Sequence, residues 1–211
     1  MTLRVGHLVI PPWNRKDLVE IPNAGFPKLN TKCAPETIAV FLDECFQSPH
    51  LMQDFCLRLC LENLIYETTD TETALSLQSE DKTFFFGKVG RDASKPAFDR
   101  LARGPRQRSD RMQRLFKDGT RADIYIAVLR ALERCTLQGE ITYEDIRVAL
   151  RDIMAENVPQ SQEVSRVLIK MTEIARKEIM GEPVLDWDEE NKVLHIVDPF
   201  FAFYLRWGQK G

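Results

Sequence analysis

From Pro183 to Trp207 the chain reads PVLDWDEENKVLHIVDPFFAFYLRW, and no other stretch limits the fold so tightly. Val184, Leu185 and Trp187 form a short apolar run. The acidic-polar turn Asp188-Glu189-Glu190-Asn191-Lys192 follows, and Val193, Leu194, Ile196 and Val197 supply a second run. Two such runs around a short polar loop predict a β-hairpin. Asp198-Pro199 stops the second strand, because proline has no N–H to give to a ladder. An aromatic helix then closes the segment. A lone hairpin cannot bury its own apolar face, so helices elsewhere in the chain must cover it.

Those helices are legible upstream. From Thr120 a new domain begins, with Ile124, Ala127, Val128, Ala131 and Leu132 at helical spacing. Gly139-Glu140-Ile141 gives a tight entry, with Ile141 as a minimal strand. Thr142 caps the next helix, and Asp145 three residues on completes a capping box. That helix runs through Ile146, Ala149, Leu150 and Ile153. A third spans about 162–180 and stops at Gly181. Helix, short strand, helix, helix, hairpin is the order of a winged helix.

The N-terminal part predicts a small bundle. Arg4 to Ile10 is strand-like and ends at Pro11-Pro12. Asn14 caps a short helix. Pro35 opens another, striped by Ile38, Phe41, Leu42 and Cys45. Ser48-Pro49 opens a third, striped by Leu51, Met52, Phe55, Cys56, Leu59, Cys60 and Leu64. Between the two parts, Glu67 to Asp81 is polar and Thr-rich, hence loop or weak helix. Phe84-Phe85-Phe86 is a buried strand or anchor. The basic stretch after it has little apolar period and is expected to be a connector packing through Phe98, Leu101 and Leu115. The expected class is mainly α: a strand and corner over 1–12, a helical bundle over 13–66, a basic connector over 67–119 and a winged-helix domain over 120–211 with its hairpin and terminal helix.

Charge is unevenly spread. The net value is −3 over 211 residues. Residues 1–81 hold 6 basic against 12 acidic side chains, residues 82–121 hold 12 against 4, and residues 122–211 hold 11 against 16. The basic middle is the segment suited to a polyanion. No apolar run approaches the roughly 20 residues of a membrane span, and the N-terminus lacks a signal-peptide pattern, so the expectation is a cytoplasmic protein with no membrane partner. Five cysteines, odd in number and without a C-x-x-C, fit that expectation. Cys56 and Cys60 share a helical face among Leu and Phe, which predicts buried reduced thiols; a metal site with His50 as third ligand is the alternative.

Two stretches, LVIPPWNRKDLVEIPNAGF continuing to CFQSPHLMQDFC, and HIVDPFFAFYLRW, together resemble the lid and C-terminal winged helix of AAA+/STAND-type ATPases, in the neighbourhood of origin-recognition-like and archaeal-type members. The resemblance covers most of 1–66 and 120–207. It implies a last core strand, a Pro-rich corner, a helical lid and a winged helix. The departures are plain. No G-x-x-x-x-G-K-[ST] is present and no apolar strand ends in paired acids, so no phosphate loop or metal-binding acid is visible. The resemblance thus implies a chain that begins after the nucleotide core, either a piece of a longer ATPase or a short relative. No cofactor is expected in this chain itself; ATP and Mg would enter only with a core. Related ATPases often carry a nucleotide-touching arginine at the start of the helix that begins here at Ser48. This chain has His50 there, which can bond phosphate when protonated or simply be satisfied by solvent.

Candidate binding residues fall in two groups. Arg100, Arg103, Arg106, Arg108, Arg111 and Arg114 crowd fifteen residues, and arginine favours planar phosphate contact. They suit nucleic-acid backbone or an acidic ATPase surface; a solvated linker or internal salt bridges are the alternative. On the third winged-helix helix, Arg166, Lys170, Arg176 and Lys177 are opposed by Glu163, Glu173 and Glu178. That balance is thin for a DNA reader, and Asp186, Asp188, Glu189 and Glu190 make the wing acidic. Protein contact is therefore weighed equally with double-stranded DNA: an ATPase core, a neighbouring subunit or a homo-oligomer. No nucleophile elbow, HExxH or zinc spacing is found, so no catalytic residue is assigned. Two functions follow: a non-catalytic regulatory and contact region of an ATPase, or a stand-alone DNA-binding adaptor.

Overall fold

The computed structural model describes residues 12–77, 82–105, 111–137 and 139–208, without the side chains of 91–93. The strand expected over Arg4–Ile10, together with Arg106 and Arg108, lies outside the described residues. The chain is mainly helical with small sheets and divides into two compact units, 1–77 and 78–211.

In the first unit α1 (Arg15–Leu18) starts at Asn14, whose side chain accepts from the backbone N–H of Lys16 and Asp17. Helix α2 (Glu20–Gly25) and a 3₁₀ turn (Phe26–Leu29) lead to Asn30, which takes a left-handed conformation at φ 53°. Strand β1 (Thr31–Cys33) follows, then α3 (Pro35–Glu44) and α4 (Pro49–Glu62). Ser48 caps α4 through the N–H of Leu51, with Pro49 at the first helical position, as the sequence predicts. Phe41 and Phe55 stack 5.3 Å apart inside a core completed by Leu18, Leu51, Met52 and Leu59. Strand β2 (Thr73–Leu75) pairs in parallel with β1, in the segment expected to be loop or weak helix. Parallel strands need a long crossover, which α3 and α4 provide.

The second unit overturns the expected connector. Residues Lys82–Arg103 form one 22-residue helix, α5. Its interior Pro96 lacks the N–H for a helical bond, a defect of about 3 kcal/mol, and packing on both sides of the proline compensates. Phe86 meets Phe203 and Trp207 with ring centroids 5.8 and 5.1 Å apart, and Phe98 meets Tyr204 at 5.1 Å. Gly90 permits the closest approach, since a Cβ there would stand 3.1 Å from the Gly208 backbone nitrogen. Phe85 and Phe86 are buried while Phe84 is exposed, the signature of a helix face rather than a strand.

A two-residue pair, β3 (Arg114–Leu115) with β4 (Arg121–Ala122), precedes α6 (Ile124–Leu132), capped by Asp123. Strand β5 (Glu140–Thr142) enters α7 (Tyr143–Ile153) through the predicted capping box: Asp145 accepts from the Thr142 N–H at 2.9 Å, and Thr142 Oγ1 accepts from the Asp145 N–H at 3.2 Å. Helix α8 (Ser161–Glu178) comes next, then the hairpin β6 (Leu185–Asp188) and β7 (Val193–Ile196), then α9 (Pro199–Trp207) capped by Asp198. The sheet is antiparallel in the order β5-β7-β6, with Ile141 opposite Leu194 and Leu194 opposite Trp187. These three side chains are buried. The Trp187 N–H donates to Thr172 Oγ1 at 2.9 Å, tying the hairpin to α8.

Candidate nucleic-acid interface

Helix α8 is sharply two-faced. Val164, Val167, Leu168, Met171, Ile174 and Ala175 are buried. Gln162, Arg166, Lys170, Arg176 and Lys177 are exposed, with Ile169 and Glu173 half-buried among them. A 3.6-residue period places these seven on one stripe.

Two of the arginines upstream of α8, Arg100 and Arg114, reach its acids. Arg114 has 5% of its side chain exposed; it donates to Glu163 at 2.7 Å and to the Asn157 carbonyl at 2.5 Å. Arg100, at 12% side-chain exposure, grips Glu178 through Nε and Nη2 at 2.9 and 2.6 Å. Arg111 donates to Asp123 and to the Arg103 and Pro105 carbonyls, and its guanidinium sits 4.6 Å over the Tyr125 ring. Arg103 turns back on the Asp99 carbonyl at 3.1 Å. Four of the six arginines of this group thus make contacts within their own unit.

Their effect is on α8. Two of its three acids, Glu163 and Glu178, are matched to Arg114 and Arg100 at contact distance. Close pairs have little net charge beyond a Debye length of about 10 Å. The outer stripe is left with Arg166, Lys170, Arg176 and Lys177 against Glu173, which pairs Lys170 at 2.8 Å. Arg176 also meets Asp186 of β6 at 2.6 Å. Arg166 and Lys177 face no acid within ion-pair distance among the described residues.

Beside the α8 N-terminus lies an open cleft of about 760 Å³. Arg147 and Arg151 of α7, Lys192 of the hairpin loop, and Gln160 and Ser161 line it. None of these three cations belongs to the set singled out from sequence. The signal was present: Arg147 and Arg151 are four residues apart on one face of α7, and Lys192 follows the acidic wing run. Arg147 pairs with Glu144 at 2.9 Å. Two aspartates bonded to lining residues are held locally. Asp145 belongs to the capping box, and the Thr142 hydroxyl holds its carboxyl below the ordinary range. Asp188 accepts from the Asn191 backbone and side-chain N–H groups, which lower its pKa likewise.

Comparison with protein-family models, curated proteins and solved structures yields no match.

In the first unit His50 is exposed at the second residue of α4. The thiols of Cys33 and Cys56 are pushed up to about 11 and about 12, chiefly by burial. Among the described residues no three His, Cys, Asp or Glu side chains are grouped to hold a metal ion. No described helix is long and apolar enough to cross a membrane.

Proposed function

We propose that residues 111–208 form a winged helix in which α8 is laid against a nucleic-acid duplex. The order α6, β5, α7, α8, β6, β7 and the sheet order β5-β7-β6 support that reading. The observation that carries the binding is the pairing of Glu163 with Arg114 and of Glu178 with Arg100. It converts a helix of nearly balanced composition into one with a basic outer stripe. Arg147, Arg151 and Lys192 extend the basic surface beside the stripe and are suited to one strand's phosphates.

The first unit fits the role of a helical lid, and the chain as a whole that of a non-catalytic regulatory and contact region of an AAA+/STAND-like ATPase. Support for this part is the sequence resemblance at 1–66 and the absence of a phosphate-loop motif from the sequence. ATP turnover by this chain alone would overturn it. The test of binding is a salt titration with a duplex. Each phosphate neutralised contributes about −0.9 to the slope of log K on log salt, so four to six contacts predict a slope near −4 to −5. No binding at about 50 mM salt would reject the duplex reading. A second reading, protein contact, rests on Glu189 and Glu190, exposed at the wing tip. It predicts association driven by a basic partner surface with the duplex slope absent.

A further inference from the structure

A separate pocket is lined by the N-terminal half of α8, the start of α6, Pro105 and residues 111–114. Its volume is about 630 Å³, within the range of small-ligand sites. Four cations line it from two segments: Arg111 and Arg114 from one, Arg166 and Lys170 from α8. Glu163 is the acid among the lining residues. Ile124, Tyr125, Val167, Ile169 and Met112 supply its apolar lining.

Three observations make this more than a basic surface. Arg111 and Arg114 are fixed before any ligand arrives, the first by Asp123, two carbonyls and the Tyr125 ring, the second by Glu163 and Asn157. Donors held in place lose little freedom on binding. Second, Arg114 is 4% exposed, yet its Nε–H has no acceptor among the described residues. The atom is closed to solvent in the unliganded chain, and a shift of a neighbouring side chain that exposes it lets a ligand oxygen satisfy a donor that is costly to leave unmet. Third, Arg166 and Lys170 are exposed members of the lining, and Arg166 makes no ion pair among the described residues. The counter-charges are Asp123 on Arg111, Glu163 on Arg114 and Glu173 on Lys170. Arg166 has no such partner among the described residues, so the pocket keeps one uncompensated cation.

We propose that this pocket binds a small organic phosphomonoester, its phosphate held by Arg166, Lys170 and the Arg114 Nε–H and its apolar body against Ile124, Tyr125 and Ile169. Inorganic phosphate satisfies the first half of that description, and the apolar lining selects against it. A phosphorylated end of a nucleic-acid strand carries the same group, and the test separates the two sources. The proposal does not rest on the duplex reading: the ligand is small, and the cleft with Arg147, Arg151 and Lys192 takes no part.

The full chain is titrated with phenyl phosphate and with inorganic phosphate by calorimetry, and amide and Tyr125 ring resonances are followed by NMR. Phenyl phosphate is expected to saturate a single site, shift Tyr125 and Arg111, and bind about tenfold more tightly than inorganic phosphate. Arg166→Glu with Lys170→Glu, both exposed positions, is expected to weaken it by at least about tenfold with the circular dichroism unchanged. Arg151→Ala with Lys192→Ala is expected to leave it alone while weakening duplex binding. Arg114→Lys, which removes Nε–H, is expected to act like the double glutamate variant. Because Arg166 and Lys170 belong to both surfaces, any duplex lying on α8 competes, so the source is read with short single strands. A strand bearing a 5′-phosphate that competes with phenyl phosphate, where its dephosphorylated twin does not, assigns the strand end as the source. Equal competition by both single strands assigns the site to backbone phosphate and overturns the proposal. So do the absence of saturable phenyl phosphate binding, and binding that ignores the Arg166→Glu, Lys170→Glu pair. In each of those cases the duplex reading stands or falls by its own salt slope.

Discussion

The arginines of α5 and β3 and the cations of α8 carry the same charge and do opposite work. Arg100 and Arg114 are largely buried and hold acids of α8; Arg166 and Lys177 are exposed and make no ion pair among the described residues. The difference lies in which acids the fold brings within reach, not in the residues. It teaches that a cluster of basic residues in a sequence can serve an interface indirectly. Here two arginines of the cluster expected to touch a polyanion instead pair two acids of the helix proposed to touch one.

The sharpest way to break this contrast is Arg114→Ala. It removes the partner of Glu163 and the bond to Asn157 and leaves a hole beside α8. Loss of one partner of a largely buried pair costs about 3–5 kcal/mol; because Glu163 keeps 42% side-chain exposure and can turn to water, we expect about 3 kcal/mol by urea unfolding. A loss under about 0.5 kcal/mol, the usual range of a surface change, would place Arg114 with the outer cations instead.

Arg166→Ala, Lys170→Ala and Lys177→Ala together probe the other side. Stability should stay within about 0.5 kcal/mol. The magnitude of the duplex salt slope should fall by about 3, with roughly 2 kcal/mol of affinity lost at low salt. A stability loss like that of Arg114→Ala, or an unchanged slope, would erase the distinction. Arg100→Ala lies between them, since it frees Glu178 at the C-terminal end of the stripe. The expected stability loss is about 1 kcal/mol, with a small fall in duplex affinity. Glu178→Gln in the same background should restore the affinity and leave the stability loss, which separates the electrostatic effect from the packing effect.

The contrast also marks where sequence reading stopped. Local signals were sound. Ser48-Pro49, Thr142 with Asp145, Asp198-Pro199 and the hairpin all form where their side chains predict, because caps and turns are decided within a few residues. The class, mainly helical with a closing hairpin, followed from them. Helix α5 was missed because Gly87, Gly90 and Pro96 argue against a helix, and only packing on α9 outweighs them. The β1–β2 pair was missed because Thr73–Leu75 carries too short an apolar pattern, and its partner lies some forty residues away. Pairings such as Arg114 with Glu163 and Arg100 with Glu178 join distant positions and leave no local trace, so the charge count along α8 stayed misleadingly balanced.

The smallest expected effect tests whether an acid near the cleft is held in place by local bonds. Asp145 follows the cleft residue Glu144 in sequence, and its carboxylate is committed to the Thr142 hydroxyl and N–H. Those bonds favour the charged form, so its pKa lies below the ordinary 3.8 in the folded chain. A lowered folded pKa stabilises the fold above the unfolded value, and the stabilisation is lost as pH falls through the folded pKa. Thr142→Ala removes the cap hydroxyl and should cost about 1 kcal/mol at neutral pH. Below the ordinary carboxylate range the gap between variant and wild type should narrow without closing, because the bond from the Asp145 N–H to the hydroxyl does not depend on ionisation. The charge on Asp145 is the same in both chains, but without the hydroxyl the carboxylate is held by the backbone N–H alone and can turn toward the cleft, so duplex affinity should fall slightly. A variant that loses stability but binds duplex as tightly as wild type would show that the cleft lies outside the interface and that the α8 stripe acts alone.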